Sequence, residues 1–347
     1  MDAELIATAG ELWDADPGWL NTASYGLPPR RAADELQAVL TDWRHGSSDW
    51  APWDTSVTRS RTAFARLIGA PVADVSISST VSQIMSTIAT ALPPDARVVV
   101  PEVEFTSNLF PWAVAAQVET VPADRLADAV DNSTSAVAFS LVQSATGQVA
   151  PLADIVAAAR DCDALVIADG SQACGWLPVD VTGVDALACA AYKWLMAPRG
   201  AAFGYLSPRL RERMRPLAAG WYAGADEGGS YYGPPLRLAP DARAFDLSPA
   251  WFSYVGAAPA IELLNELGVQ RVHDHDVALA NRFRAGLGLA PSDTAIVSVD
   301  APGERLRAAG VRAAVRAGKV RASFHVYNTP GDVDRALDVL TQRTLSG

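Results

Sequence analysis

Two residues with acid–base chemistry stand at the ends of strongly apolar runs. Asp169 follows Ala164–Ala168 within ALVIADGSQA, and Lys193 follows Ala186–Ala190 within ACAAYKWLMAPRG. A lysine amine becomes a useful nucleophile toward carbonyl carbon when its surroundings oppose its permanent protonation. The apolar neighbours Tyr192, Trp194 and Leu195 predict partial shielding of Lys193. Alone, Asp169 reads as the first residue of an Asp-Gly turn and Lys193 as a solvated lysine. Together, at two strand ends, they read as a working pair.

The pair suits chemistry on pyridoxal 5′-phosphate (PLP). A lysine holds that cofactor as a Schiff base. A carboxylate keeps the pyridine nitrogen protonated, so that the ring accepts electrons. A helix N-terminus holds the phosphate, a flat side chain covers the ring, and an arginine clamps a substrate carboxylate.

The elements that must position these groups alternate along the chain. Strands are predicted at Val75–Ser78, Arg97–Val100, Ala136–Val142, Ala164–Ala168, Ala186–Ala190 and Ala201–Tyr205. Helices are predicted at Val81–Ala91, Asn108–Ala116 and Leu152–Arg160, preceded by Ala32–Trp43, Thr58–Leu67 and a short helix in residues 1–15. This alternation predicts an α/β fold with a mostly parallel sheet and a ligand at the carboxyl ends of its strands. Two further helices, Trp251–Leu267 and Val277–Leu287, lead into a small β-α-β-α unit at Ala295–Val299, Arg305–Ala309, Val320–His325 and Asp332–Thr341.

ADGSQACGWLPVDV followed by AYKWLMAPRGAAFGYL resembles the paired cofactor motif of the class V aminotransferase superfamily. That group includes cysteine desulfurases, kynureninases, isopenicillin-N epimerase-like enzymes and ergothioneine-type C–S lyases. LNTASYG, SSTVSQI, EVEFTSN, SLVQSATGQVAPL, RAFDLSPAW and VRASFHVYNTPGDVDRAL resemble further family segments in the family's order. The resemblance implies PLP-dependent transferase fold type I: a large, mostly parallel domain at 16–245, a small α/β C-terminal domain at 246–347, and residues 1–15 packed on the small domain. It also implies a homodimer with the sites at its interface.

Roles follow from the resemblance. Lys193 bonds to the cofactor and moves the proton at Cα. Asp169 pairs with the pyridine nitrogen, and Gln172 and Ser144 reach the ring hydroxyl, Ser144 standing where many relatives have Asn. Phe105 stacks on the ring. Thr80 and Val81 offer backbone amides to the phosphate, Tyr192 adds a phosphate contact, and Ser248 reaches the phosphate from the second subunit. Arg321 binds the substrate carboxylate, beside Ser24 and Tyr25 of the N-terminal substrate loop.

Bulk properties limit the alternatives. The 347 residues carry a formal net charge of −11, which disfavours nucleic acid or anionic lipid as a general partner. Cys162, Cys174 and Cys189 form an odd set in apolar surroundings, and read as buried thiols in a reducing cytoplasm. No leader pattern or apolar span of about 18 residues is present, so a cytoplasmic location without a membrane span is expected. His273-Asp274-His275-Asp276 reads as a solvated helix start and not a metal site, since residues two apart do not face one another on a helix. No metal is expected.

The leading expectation for the reaction is C–S β-elimination from a cysteine S-conjugate, giving pyruvate and ammonia. Phe105 stands where many desulfurases have His, and no Cys follows Cys189 to carry a persulfide. The aromatic residues around Trp50 and Trp221 offer walls for a bulky or cationic group on the sulfur, or equally for loop packing at a dimer contact. The alternative is an epimerase or aminotransferase of the class V type. A non-enzymatic protein on the PLP fold is disfavoured, because Asp169, Lys193 and Arg321 are all in place.

Overall fold

The computed structural model describes residue 6, residues 9–226 and residues 228–341. Two helices come first: α1 (Arg30–His45) and α2 (Trp50–Leu67), the latter capped by Asp49, whose carboxylate accepts the Trp50 N–H. An alternating run follows: β1 (Val75–Ser78), α3 (Val81–Ile88), β2 (Arg97–Pro101), α4 (Thr106–Ala115), β3 (Gln117–Val121), β4 (Thr134–Ser140), α5 (Leu152–Asp161), β5 (Leu165–Asp169), β6 (Ala186–Ala190), β7 (Ala202–Leu206) and the short α6 (Pro208–Arg211). The C-terminal third holds α7 (Trp251–Leu267), α8 (Val269–Gly286), β8 (Ile296–Val299), α9 (Gly303–Ala308), β9 (Ala314–Arg316), β10 (Lys319–Ser323) and α10 (Pro330–Thr341).

The seven-stranded sheet has the order β1-β7-β6-β5-β4-β2-β3. Its pairs are parallel except that β7 runs antiparallel to both β6 and β1. Successive residues of the central strands feed opposite faces, as a period of two requires. Val137, Phe139, Val166 and Leu187 belong to one apolar cluster, while Ala136, Ala138, Leu165 and Ile167 belong to the other. Burial on both faces explains why β5 and β6 read as unbroken apolar runs. Ser140 lies opposite Asp169, and Asp169 opposite Ala188, so β4, β5 and β6 end along one edge.

A second, antiparallel sheet has the order β8-β10-β9, with Leu279, Phe283, Val297 and Phe324 in its core. Residues near the N-terminus are stitched to it. The Leu20 N–H donates to the Arg312 carbonyl at 2.9 Å, and the Ser323 N–H donates to the Leu20 carbonyl at 3.0 Å. Trp13 packs on Tyr327 with ring centroids 5.8 Å apart. Gly147, at φ +81, lets the loop after β4 lie on β8; a Cβ there would stand 2.6 Å from the Ile296 carbonyl oxygen.

Most predicted elements recur within a few residues. Two strands escaped the sequence reading. β3 is largely exposed and lacks an apolar face, and β9 has only three residues. Helix α8 starts at Val269, directly after Gly268, eight residues ahead of the predicted start at Val277. The short helix expected in residues 1–15 is met in part: Ile6 and Ala9 are helical and Gly10–Leu12 forms a 3-10 turn, while residues 1–5, 7 and 8 lie outside the described part. The division proposed at residues 245/246 falls ahead of α7, which packs against α1 and α2. Among the described residues, no helix is long and apolar enough to cross a membrane.

Candidate active site

Lys193 sits in a tight turn that begins three residues after β6. The Lys193 carbonyl accepts the Met196 N–H at 3.1 Å, and the Ala191 carbonyl accepts the Ala197 N–H at 3.0 Å. Met196 takes a left-handed conformation, φ 55, to close the turn. From the other side the Gly26 N–H donates to the Tyr192 carbonyl at 2.9 Å. A side chain at position 26 would collide with the Lys193 carbonyl oxygen, so glycine alone permits this approach.

The amine opens into a cavity lined by Ser79, Thr80, Val81, Phe105, Asp169, Tyr192 and Arg199. Thr80 caps α3 by accepting the Gln83 N–H at 3.3 Å. The opening turn of that helix leaves backbone N–H groups without intrahelical partners, a floor suited to an anion. Lys193 Nζ lies 5.5 Å from the centroid of the Phe105 ring and 5.9 Å from that of Tyr192. Arg199 lies over the other ring contact, 5.0 Å from the Tyr192 centroid.

Burial is the main influence holding the Lys193 amine below its ordinary pKa; Asp169 pulls it up and Arg321 pushes it down. Asp169 is buried, with Oδ1 accepting the Ser171 N–H at 2.8 Å. Arg321 is 2 % exposed, and burial and then Arg316 bring its pKa down to about 10, so it stays cationic at neutral pH. Its Nη2 donates to Ser24 Oγ at 2.9 Å and its Nη1 to the Ser144 carbonyl at 2.5 Å. Its Nε has no partner among the described residues. Among the described residues, every partner of this buried cation is neutral.

The remaining predicted site residues divide by position. Gln172 is buried, and its carboxamide is engaged: Nε2 donates to the Ala23 carbonyl at 2.9 Å and Oε1 accepts from Trp194 Nε1 at 2.8 Å. Ser144 meets Arg321 through its backbone carbonyl. Tyr25 is half exposed and packs on Trp19, with centroids 4.6 Å apart, beside a neighbouring apolar cavity. Ser248 is exposed and does not line the Lys193 cavity of its own chain. Its segment is anchored by Asp246, which is ion-paired with Arg61 at 2.6 Å in the interior.

The aromatic residues around Trp50 and Trp221 pack on one another, Trp50 stacking on Trp251 at 5.5 Å and meeting Trp221 edge-on at 6.0 Å, and they do not line the Lys193 cavity of their own chain, which agrees with the loop-packing alternative. One expectation needs correction. His273-Asp274-His275-Asp276 is not solvated throughout, since Asp276 is fully buried against His325.

Sequence reasoning passed over Glu104. Its Oε1 accepts the Phe105 N–H at 2.8 Å, and its Oε2 accepts the Ser140 N–H at 2.7 Å, tying Phe105, which lines the Lys193 cavity, to the end of β4. Burial, with Asp169 nearby, holds its carboxyl above the usual range, against these hydrogen bonds. The available signal was the second of two acids in EVEFTSN, the one directly before Phe105.

The sheet, the strand-end aspartate and the turn-borne lysine define an α/β enzyme of the PLP type. Residues 44–308 match the family model for aminotransferase class-V, and the chain belongs to that family. It is 28% identical over 340 residues to the "uncharacterized aminotransferase YcbU" of Bacillus subtilis, covering 89% of this chain and 90% of the relative. It is 26% identical over 292 residues to a "probable cysteine desulfurase" of Methanothermobacter thermautotrophicus, covering 68% of this chain and 70% of the relative. The solved structure of the cystine C–S lyase C-DES with cysteine persulfide superposes with a TM-score of 0.82 at 20% identity, covering 93% of this chain and 97% of that one, and shares the fold.

The protein is therefore a PLP-dependent enzyme of fold type I. Its donor set suits the cofactor: an amine with lowered proton affinity, a buried carboxylate, an aromatic wall, and a helix start with the Ser79 and Thr80 hydroxyls. When bound, PLP supplies an electron-accepting ring next to the substrate Cα.

Proposed function

We propose that the enzyme cleaves the C–S bond of a cysteine S-conjugate, yielding a thiol, pyruvate and ammonium. The observation that carries the amino-acid part is Arg321, a buried guanidinium with only neutral partners. An α-carboxylate is the ligand that completes such a site, because a planar fork of donors matches it bidentately. In this reading Lys193 and Asp169 hold the cofactor, Thr80, Val81 and Tyr192 face its phosphate, and Phe105 covers its ring. Gln172 and Ser144 border the ring hydroxyl, and Ser24 and Tyr25 border the substrate.

Lys193 removes the Cα proton at Nζ, while Arg321 keeps the carboxylate from turning away. Asp169 holds a proton on the pyridine nitrogen throughout. The C–S bond breaks, sulfur leaves with the electron pair and takes up a proton, and water converts the released three-carbon enamine to pyruvate and ammonium. Thiol placement favours departure of the sulfur over its transfer to the protein. Cys174 and Cys189 are buried, and Cys162 lies ahead of the amino end of β5, whereas Asp169 closes its carboxyl end. We place the working unit as a cytoplasmic dimer, with Ser248 directed at the other copy's phosphate site.

The test is product analysis of holoenzyme with S-alkyl and S-aryl cysteines, their sulfoxides, and free cysteine. Pyruvate from the conjugates with little alanine from cysteine is expected. Alanine and protein-bound persulfide from cysteine, or Cα epimerisation or amino transfer to a keto acid without pyruvate, overturns the lyase reading.

A further inference from the structure

His325 and Asp276 form a pair with no exposed surface, remote in sequence from Lys193 but directly behind it in space. His325 Nδ1 lies 2.8 Å from Asp276 Oδ2, and His325 Nε2 lies 3.0 Å from the Trp194 carbonyl oxygen. The imidazole meets the Trp194 indole edge-on, with centroids 5.2 Å apart. Trp194 is the residue after Lys193, and its indole N–H donates to Gln172. Gly175, at φ +114, leaves room for this carbonyl; a Cβ there would stand 2.5 Å from it.

The bonding pattern settles where one hydrogen sits. A carbonyl oxygen only accepts, so His325 Nε2 carries a proton. The bond to Asp276 then holds one further proton, on either Nδ1 or the carboxyl, and the pair is neutral overall. Burial raises the proton affinity of the Asp276 carboxyl, while His325 lowers it. Asp276 Oδ1 has no partner among the described residues, so the carboxyl is committed to His325.

His325 lies four positions beyond Arg321, one beyond Phe324, on the segment that continues β10. Phe324 is fixed there by its N–H bond to the Ala295 carbonyl at 3.1 Å, and the His325 N–H donates to Asn328 Oδ1 at 2.9 Å. One short segment thus carries the guanidinium and is bonded to the turn that carries the amine. We infer that His325, held by Asp276, is a positioning residue that sets Arg321 at a fixed place relative to Lys193, so that an α-amino acid meets both at once. This rests on the carboxylate role proposed for Arg321, and not on what happens at the sulfur.

Three holoenzymes sharing Asp276→Asn, which avoids an unpaired buried carboxylate, test it: one with His325, one with His325→Phe and one with His325→Gln. The probe is L-alanine, which has no leaving group, so binding is read from the cofactor's visible spectrum whether or not elimination occurs. The His325→Phe protein should need roughly tenfold or more L-alanine for half-saturation, yet bind PLP within about threefold of the others. The His325→Gln protein, which keeps an N–H aimed at the Trp194 carbonyl, should regain most of the loss. Unchanged L-alanine affinity with Phe, equal loss with Gln and Phe, or a parallel loss of PLP affinity each overturns the assignment. A measurement on the unmutated protein needs no variant to fold: proton–nitrogen NMR with labelled histidine should find a proton on His325 Nε2, and a bare Nε2 overturns it too.

Discussion

Arg321 Nη2 and Ser24 Oγ meet at 2.9 Å although 297 positions separate them in the chain. The contact joins the C-terminal sheet to the loop that passes over Lys193, and it contains no negative charge. A substrate carboxylate would supply that charge. Arg321→Gln should lower kcat/KM for α-amino acid substrates by roughly 30- to 1000-fold, about 2–4 kcal/mol, mostly through KM. PLP affinity should change little. Steady-state kinetics beside a spectral PLP titration checks this, and an unchanged KM would remove Arg321 from the substrate site.

The Lys193 amine gives a pH signature. Its pKa lies below the ordinary 10.5, so the neutral, nucleophilic form exists at lower pH than for a free lysine. The rate of PLP capture by apoprotein should therefore rise with pH and level off below that value. Arg321→Gln removes a cation and should move the midpoint up. Asp169→Asn removes an anion and should move it down. Rapid-mixing absorbance across pH reads both, and shifts in the same direction would contradict opposed effects of Asp169 and Arg321 on the amine. Borohydride should trap the cofactor on Lys193 alone.

Arg61 and Asp246 pair in the interior with side chains 8% and 1% exposed, and the Asp246 Oδ1 also accepts the Ile77 N–H at 2.8 Å. Asp246→Ala strands a buried guanidinium, and should destabilise the protein by about 3–5 kcal/mol in chemical unfolding. Arg61→Met combined with Asp246→Leu should cost less than that single change. Equal losses would show that packing, not the unpaired charge, is responsible.

Gly26 touches the Lys193 turn through its backbone, with Met196 Cγ 2.9 Å from where a Cβ would lie. Gly26→Ala should force the turn outward at a cost of about 1–3 kcal/mol. Thermal melts and PLP affinity should both fall, the latter because the amine is displaced. A variant with unaltered PLP affinity would separate the substrate loop from the cofactor site.

Asp169 and Lys193 were legible in the sequence because Asp169 closes, and Lys193 follows within three residues, a strand buried on both faces, and such strands are written as unbroken apolar runs. The same alternation of strands and helices made the parallel sheet and its ligand-bearing edge predictable. Arg321, Thr80 and Phe105 were legible as members of ordered motifs. Their company was not. The antiparallel turn of β7 leaves no mark in its residues, because a buried strand is equally apolar in either direction. Arg321 meets Ser24 and Ser144 only because the small sheet packs on the loops of the large one. Asp276 stands in a polar run that reads as solvated surface, yet helix α8 rotates it inward onto His325 while Asp274 stays in solvent. Local sequence determined which groups exist and which strand or helix carries them. Long-range packing alone decided which of them share a proton, a carbonyl or a cavity, since those contacts join segments that no local pattern links.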